Sequence, residues 1–561
     1  MDIPKFQGNE FQEGNIFKIN PKYDFYNLYE DLEGLNVESD IYFEDVDFTF
    51  FKINFTRLKE RNIKFTNCTF LKDIQLESKN KKISFSNCKL SDNDTVNISL
   101  RGKAELLEIE KCYFNNIEIK NFNTVEYLHI TSALNSLSIE NGNILNMSLF
   151  FQDCNLSKLT FGEVGFKRIE INGFGNTHFE SFFVEAFCLT PENEKIISLE
   201  DLEDNERVDI ERIFEYSFRI NGFSSPDIYL LIENCPFVTI SELKTDFFHM
   251  FMGSNIEHNT LRISDCDFKN GNLDSYLDKL KLHTLYLSRC SNFSCNNIEV
   301  EKVSLVNSFK GFVEFSNCIF QKLHFYDFKI NHYLVLNNIF FEGEKHLGID
   351  NSILNKVEIN PSFLHQINSL YFNKSSIKGL EIYNFIGLNE EAIKSSKGFE
   401  ISEKLSFYRE LKSLAESSHN NYLYQQFKAL EYNELLKDES QKITNLNKAI
   451  LTLNKLSNNH GTNPLNALSW YLGFIIIYSL ILFITFLSSG YSTETFLTFY
   501  SSNYTYLFNP FQYINSLERK DHIEDTAYIF NYAVKIWDIL YNVAIGYLIY
   551  QFVASFRKFN R

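Results

Sequence analysis

The sequence predicts a mainly β chain: a long parallel β-solenoid, then an α-helical connector, then a two-helix transmembrane hairpin. Three observations predict it. The first is a recurring pattern in which a short apolar pair precedes Asn-Cys-x-Phe/Leu. It reads Ile63-Lys-Phe65-Thr-Asn-Cys68-Thr-Phe70, then Ile83-Ser-Phe85-Ser-Asn-Cys88-Lys-Leu90, and much later Val313-Glu-Phe315-Ser-Asn-Cys318-Ile-Phe320. Looser copies centre on Cys112, Cys154, Cys235, Cys266 and Cys290. The second is a double series of apolar-x-apolar pairs. One series, Val303/Leu305, Leu323/Phe325, Leu347/Ile349 and Leu370/Phe372, advances in steps of 20, 24 and 23 residues. The other, Val313/Phe315, Leu334/Leu336, Val357/Ile359 and Leu380/Ile382, advances in steps of 21, 23 and 23. The third is the uncharged apolar run from Trp470 to Leu487.

Apolar and polar residues that alternate over three to five positions mark a strand, not a helix. A supersecondary unit repeated at near-constant spacing cannot bury its own apolar face, so successive units must stack. Two short strands per coil describe a parallel β-solenoid. The N-terminal half carries the same two rows: Ile63, Ile83, Leu107, Leu128, Leu149 and Ile169 in one, and Ile74, Val96, Ile117, Leu137 and Leu159 in the other.

The residue types suit such a coil. Cysteine is small and behaves as a hydrophobe, so it fits inside a narrow corner. The Phe two positions later fills the wider centre, and the chain holds 57 Phe. Asparagine before the Cys tolerates left-handed backbone and can form a ladder along one corner. Cys68, Phe70, Cys88, Cys112, Cys154, Cys266, Cys318 and Phe320 are therefore expected in the core. On this basis Cys318→Ser is expected to cost about 1–3 kcal/mol by burying a hydroxyl.

The element order gives domain bounds. Residues 1–40 read as an N-terminal cap and 41–395 as the solenoid. The solenoid is expected to be interrupted at about 176–229, where Pro191-Glu-Asn-Glu-Lys and Ser198-Leu-Glu-Asp-Leu-Glu-Asp are acidic and do not alternate. Insertions on one face of a solenoid often bind partners. Residues 400–460 change to helical periodicity: Leu405, Tyr408, Leu411 and Leu414 share one face after a capping signal at Ser402, and Phe427, Leu430 and Leu435 share a second. A third amphipathic run covers about 440–457. Asn459, His460 and Gly461 then read as a helix stop or hinge.

Residues 465–561 read as the membrane hairpin. The first span is Trp470 to Leu487, long enough for a bilayer core, and the second is Trp537 to Phe556 with Asp538 at its edge. The Trp at one end of each span suits an interfacial anchor. The segment 488–536 between them is expected to be an aromatic-rich loop, exposed outside the membrane or re-entrant. Lys448 and Lys455 precede the hairpin, and Arg557, Lys558 and Arg561 follow it. That distribution puts both termini in the cytoplasm.

Composition limits the function classes. The formal net charge is −18 and the pI about 5.3. Nucleic-acid binding is not expected, because it needs a basic face. Ten Cys without CxxC spacing or a secretory leader read as reduced cytosolic thiols. There is no HExxH, no GxSxG and no phosphate loop. No catalytic residue, cofactor or metal site is expected.

The Cys-x-Phe/Leu step with its 20-residue return from Cys68 to Cys88 resembles the pentapeptide-repeat proteins, which implies a right-handed, four-sided β-helix with degenerate repeats. Leu285-Tyr-Leu287-Ser-Arg-Cys290 also resembles a leucine-rich-repeat strand, and that alternative stays open. Tyr408-Arg-Glu-Leu-Lys412, the Asn-Asn-His-Gly segment and Tyr550-Gln-Phe-Val-Ala-Ser-Phe-Arg-Lys558 resemble the bacterial pentapeptide-repeat membrane proteins. That resemblance implies a bacterial inner-membrane protein with two C-terminal spans. Some relatives end in a potassium-channel module, but here no Thr-x-Gly-Tyr-Gly filter follows Gly490-Tyr491. The leading expectation is a non-enzymatic scaffold or sensor whose solenoid binds a protein partner, with homo-oligomers possible through the membrane helices. A pore gated by the solenoid and an acidic DNA mimic are the alternatives.

Overall fold

In the computed structural model the described residues are 16–19, 40–45, 47–48, 53–54, 62–70, 74–78, 82–90, 95–114, 116–120, 122, 124–189, 216–253, 259–275, 280–388, 392, 401–437, 443–488, 490–508 and 532–557. They divide into two compact units. One is the solenoid, and the other runs from Gly398 to the C-terminus and also takes in Ser376–Lys378 and Phe385–Gly387.

The first unit is a parallel β-solenoid in which every recorded strand pairing is parallel. The two expected rows are unbroken in its register, and the coils carry a third strand that sequence alternation did not predict, as along Asp47, Thr69, Lys89 and Tyr113. In one expected row, Ile63, Ile83, Leu107, Leu128, Met147 and Ile169 lie on successive coils. The row continues through Phe218, Val238, Leu261, Leu285, Val303, Leu323, Leu347 and Leu370. Two expected members move. Leu128 is matched by Met147, not Leu149, and Ile74 by Ile98, not Val96. Both shifts are of two residues. Because strand side chains repeat every second position, such a slip keeps each side chain on its own face and leaves no trace in the apolar pattern.

The corners explain the recurring motif. Asn67, Asn87 and Asn317 have φ of 53°, 53° and 56°. Each turns the chain through the left-handed region that Asn tolerates best. Their side chains stack as predicted: Asn87 Nδ2 donates to Asn67 Oδ1 at 2.6 Å, and Asn338 Nδ2 to Asn317 Oδ1 at 2.7 Å. The next residue is the inward Cys. Its Sγ–H donates to the carbonyl two residues back, at 3.4 Å for Cys68 to Thr66 O and 3.2 Å for Cys318 to Ser316 O. A second acceptor lies on the preceding coil, Phe43 O for Cys68 and Cys295 O for Cys318. Cys68, Cys88, Cys112, Cys266 and Cys318 are buried, as are Phe70 and Phe320, whereas Cys154 is only half-buried. Phe rings fill the centre, with Phe65 stacked on Phe43 at 5.0 Å and on Phe85 at 4.8 Å. Offset stacking adds about 0.5–1.5 kcal/mol per pair beyond area burial.

Other corners show that the thiol is not obligatory. Fully buried Ser352 follows left-handed Asn351 and donates to Asp350 O at 2.6 Å, two residues back. Ser375 donates to Asn373 O at the same offset and distance. A hydroxyl at this position finds the acceptor that the thiol uses, so the cost expected for Cys318→Ser falls below about 1 kcal/mol.

The interruption is narrower than expected. Strands His178–Phe179, Phe182–Cys188, Ser217–Asn221 and Ser224–Glu233 all belong to the ladder. Ile169 pairs directly with Phe218 across the intervening chain. Phe182–Cys188 has inward Phe182, Val184, Ala186 and Cys188, an alternation obscured by Phe183 and Phe187 on the outer face. The acidic stretch 190–215 lies outside the described residues. At the N-terminus, Ile16–Ile19 already pairs with Asp40–Phe43, inside the segment expected to be a cap.

The second unit holds α1 (Ile401–Ser417), α2 (Asn421–Leu435), α3 (Asn445–Asn458), α4 (Pro464–Ser488), α5 (Thr493–Phe508) and α6 (Tyr532–Arg557). The segment expected to be an aromatic loop therefore contains a helix, α5. It folds back along α4: Phe496 packs on Phe483 and Phe486 at 5.0 and 5.5 Å, Ser479 Oγ meets Tyr500 Oη at 3.4 Å, and Tyr471 Oη donates to Phe508 O at 3.4 Å. Phe496 and Phe499 bury their rings against α4, and that tertiary contact is invisible to a search for uncharged spans. Residues 509–531 lie outside the described residues.

Two predictions follow from the corners. Thiol reagents should label Cys68, Cys88 and Cys318 slowly in the native protein and rapidly after denaturation, while Cys154 reacts first. Rapid native labelling at all three buried sites would disprove the corner geometry. Hydrogen bonding with the Cys112 thiol, aided by burial, pushes the Cys88 thiol from 9.0 up to about 12. Below pH 9 both folded and unfolded chains keep this proton. Between pH 9 and 12 only the unfolded chain gives it up, so stability should fall across that window. Chemical denaturation at stepped pH, comparing the parent with Cys88→Ser, measures the difference.

Candidate functional site at the foot of the apolar helices

The helix α3 stops because three consecutive residues take left-handed backbone. Asn459, His460 and Gly461 have φ of 47°, 56° and 93°. One such residue is an ordinary helix C-cap. Three in a row reverse the chain between α3 and α4. The non-glycine members cost on the order of 1 kcal/mol each, so the surroundings must hold them.

Asn458 does the holding. Its Oδ1 accepts from Gly461 N at 2.9 Å, and its Nδ2 donates to Gln551 Oε1 at 2.6 Å and to Ser555 Oγ at 3.3 Å. One turn earlier, Asn454 Oδ1 accepts from Tyr547 Oη at 2.7 Å and Gln551 Nε2 at 2.9 Å. The buried amides and hydroxyls thus fasten the end of α3 to the last turns of α6. His460 is buried and meets Tyr432 of α2 edge-on at 5.3 Å between ring centroids. Burial, reinforced by the Glu431 carboxylate, pushes the Tyr432 hydroxyl above its ordinary range. Asn459 is exposed and donates to Thr462 Oγ1 at 3.1 Å. The three hinge candidates therefore form one elbow that touches α2, α3 and α6.

The Tyr408–Lys412 segment supports the elbow from α1. Arg409 Nε and Lys412 Nζ hold the buried Glu431 carboxylate at 2.9 and 2.5 Å. Glu410 accepts from Ser376 Oγ and Ile377 N at 3.0 and 2.6 Å. Tyr408 is buried, and burial raises its hydroxyl pKa.

A second polar group lies farther along α4 and α6. Asp538 is 2% exposed and accepts from Tyr478 Oη at 3.0 Å, and Tyr478 stacks on Tyr541 at 4.1 Å between centroids. Asn542 Nδ2 lies 3.5 Å from the same carboxylate. Asp538 lies at the edge of its span, as expected, the third residue of Ile536–Ser555. It also faces the interior of the helix pair: the 100° step between neighbouring residues turns Trp537 outward (52% exposed) and Asp538 inward. Two helices, Pro464–Ser488 and Ile536–Ser555, are long and apolar enough to cross a membrane. Trp470, Leu487 and Trp537 lie in them with exposed side chains, and Phe556 lies in α6 with its side chain outside the described residues.

Sequence reasoning singled out neither Tyr478 nor Tyr547, and it quoted Gln551 and Ser555 only within the Tyr550–Lys558 segment, with no role for their side chains. Tyr547, Gln551 and Ser555 step by four residues along a helix, a polar stripe on an apolar span that points at a partner helix. Among the described residues no three His, Cys, Asp or Glu side chains gather as a metal site would require. The elbow network of Asn454, Asn458, Tyr547, Gln551 and Ser555 is made of amides and hydroxyls that fasten helices to each other. No family model, curated protein or solved structure matches the chain.

Replacement at the elbow should separate its two constraints. Asn458→Ala strands the Gly461 amide and the Gln551 oxygen and should cost about 1–3 kcal/mol, read as a lower melting temperature of the detergent-solubilised chain. Asn459→Gly should leave that temperature unchanged or raise it, and Asn459→Val should lower it, because only the β-branched residue resists φ near 47°. Equal effects from Gly and Val would contradict the left-handed assignment.

Proposed function

We propose that the chain is a non-enzymatic, membrane-anchored scaffold or sensor. Its β-solenoid binds a protein partner in the cytoplasm, and the Asn458–Gly461 elbow couples the connector helices to a membrane-inserted helix pair. The observation that carries the reading is the outer surface of that pair. Ile476, Leu480, Ile484, Val543 and Val553 are exposed on helices whose inner faces already pack on each other. Water would disfavour that surface, at about 25 cal/mol per Å², and lipid would not. The charged Asp538 is kept on the inner face with Tyr478 and Asn542, among apolar packing, an arrangement that suits helices surrounded by lipid.

The finer reading is a bacterial inner-membrane protein with pentapeptide-like coils, two spans and both termini cytoplasmic. It is supported by Lys448 and Lys455 before the pair, the basic Arg557, Lys558 and Arg561 after it, and ten cysteines that are all free. The exposed faces of α4 and α6 also suit self-association within the bilayer. A second reading, a pore, is favoured by α5, which runs back along α4 from Phe486 to Tyr471 and brings hydroxyl side chains to the same depth. Channels place non-spanning segments in this way where they line a cavity.

Membranes carrying the full chain should retain it through washes in high salt and alkaline carbonate. Release by alkali would make α4 and α6 a soluble helical pair and end both readings. Purified chain in planar bilayers should give no conductance if it is a scaffold, and ion currents sensitive to changes in α5 if it is a pore.

A further inference from the structure

Helix α3 leaves an apolar stripe without cover, unlike a helix on the surface of a soluble protein. Such a helix turns its apolar stripe inward and its polar face to water. In α3 only the last turn is fastened to α6, through the polar Asn454, Ser457 and Asn458, and Ser457 closes off the apolar stripe there. The apolar side is exposed: Leu446 by 71%, Ile450 by 47%, Leu453 by 53% and Leu456 by 53%. At 100° per residue Leu446, Ile450 and Leu453 fall within an arc of about 60°. Lys448 and Lys455, both exposed, lie on the opposite side two turns apart. The helix has no acidic residue in a chain whose net charge is −18.

We propose that α3 is an interfacial helix, lying in the headgroup layer with its apolar face at the acyl boundary and its lysines set toward anionic phospholipid. The inference rests on the reading of α4 and α6 as membrane spans and adds a third membrane contact to them. Two arguments select lipid over a protein partner. The start of α4 lies beside the end of the stripe, with Asn466 Nδ2 donating to Leu456 O at 2.8 Å, and both Leu456 and Leu465 are exposed there. The isolated positive charge of α3 complements anionic headgroups, the usual signature of a helix that lies on a bilayer. The elbow supplies the geometry: its left-handed turn lets α3 leave the axis of α4, so that one helix can lie along the surface while the next crosses.

The test uses the full chain with Cys154→Ser, which removes the half-buried thiol, reconstituted in phosphatidylcholine vesicles with or without phosphatidylglycerol. Single bimane labels are placed at Leu453→Cys, Lys448→Cys and Ile476→Cys. Shallow spin-labelled lipid should quench the label at 453, aqueous iodide should quench the one at 448, and deep spin-labelled lipid should quench the one at 476. Phosphatidylglycerol should increase quenching at 453, and Lys448→Gln with Lys455→Gln should abolish that increase, each lysine contributing roughly fivefold to local partitioning. If 476 is quenched by lipid but 453 only by iodide, α3 is not interfacial and the two spans stand. If 476 is not quenched by lipid, the spans themselves are wrong and this inference falls with them. Quenching at 453 that ignores both phosphatidylglycerol and the lysine changes would overturn the anionic-lipid assignment.

Discussion

The solenoid depends on one repeated contact: a left-handed corner residue followed by a small inward side chain that gives its hydrogen to a main-chain carbonyl. A coil must reverse direction several times without leaving amides or carbonyls unpaired in the core. Asn67 and Asn317 supply the backbone turn, and Cys68 and Cys318 fill the corner while pairing with Thr66 O and Ser316 O. Once corners are fixed, strands on successive coils meet in register, and the Phe stacks of the centre follow from that register. The thiol is not the only solution, since Ser352 fills the same corner position with its hydroxyl bonded to Asp350 O.

This explains what could be read in the sequence. Rows such as Val303, Leu323, Leu347 and Leu370 were legible because each coil repeats the same apolar pair. The exact partner of Leu128 was not, since a shift of two residues preserves every inward face. Phe183 and Phe187 hid a strand by placing aromatics on its outer side, where Phe183 stacks on Tyr229 of the next coil at 5.0 Å. In the helical unit the stop at Asn459–Gly461 was legible from its composition. The network around it was not, because Gln551 and Ser555 lie more than ninety positions away from Asn458 along the chain.

The helical unit departs from the solenoid by exposing aliphatic side chains as well as burying them. The solenoid hides apolar groups and satisfies its polar groups along the corners. Around α4 and α6 polar contacts such as Tyr478–Asp538 sit inside among Ile475, Leu482, Phe486 and Ile545, and aliphatic side chains also face out. The two patterns suit two different solvents, and the change between them falls within the connector that carries Arg409, Lys412 and Glu431.

The direct pairing of Ile169 with Phe218 shows how loosely the solenoid is bound to chain length. Each coil touches only the coils before and after it, so stability accumulates step by step along the stack. A whole coil can be gained or lost, or a foreign segment spliced between 189 and 216, while neighbouring coils keep their partners. The length of the rod is thus a free variable for evolution, set by copying and trimming coils, whereas the elbow of three left-handed residues tolerates no such arithmetic.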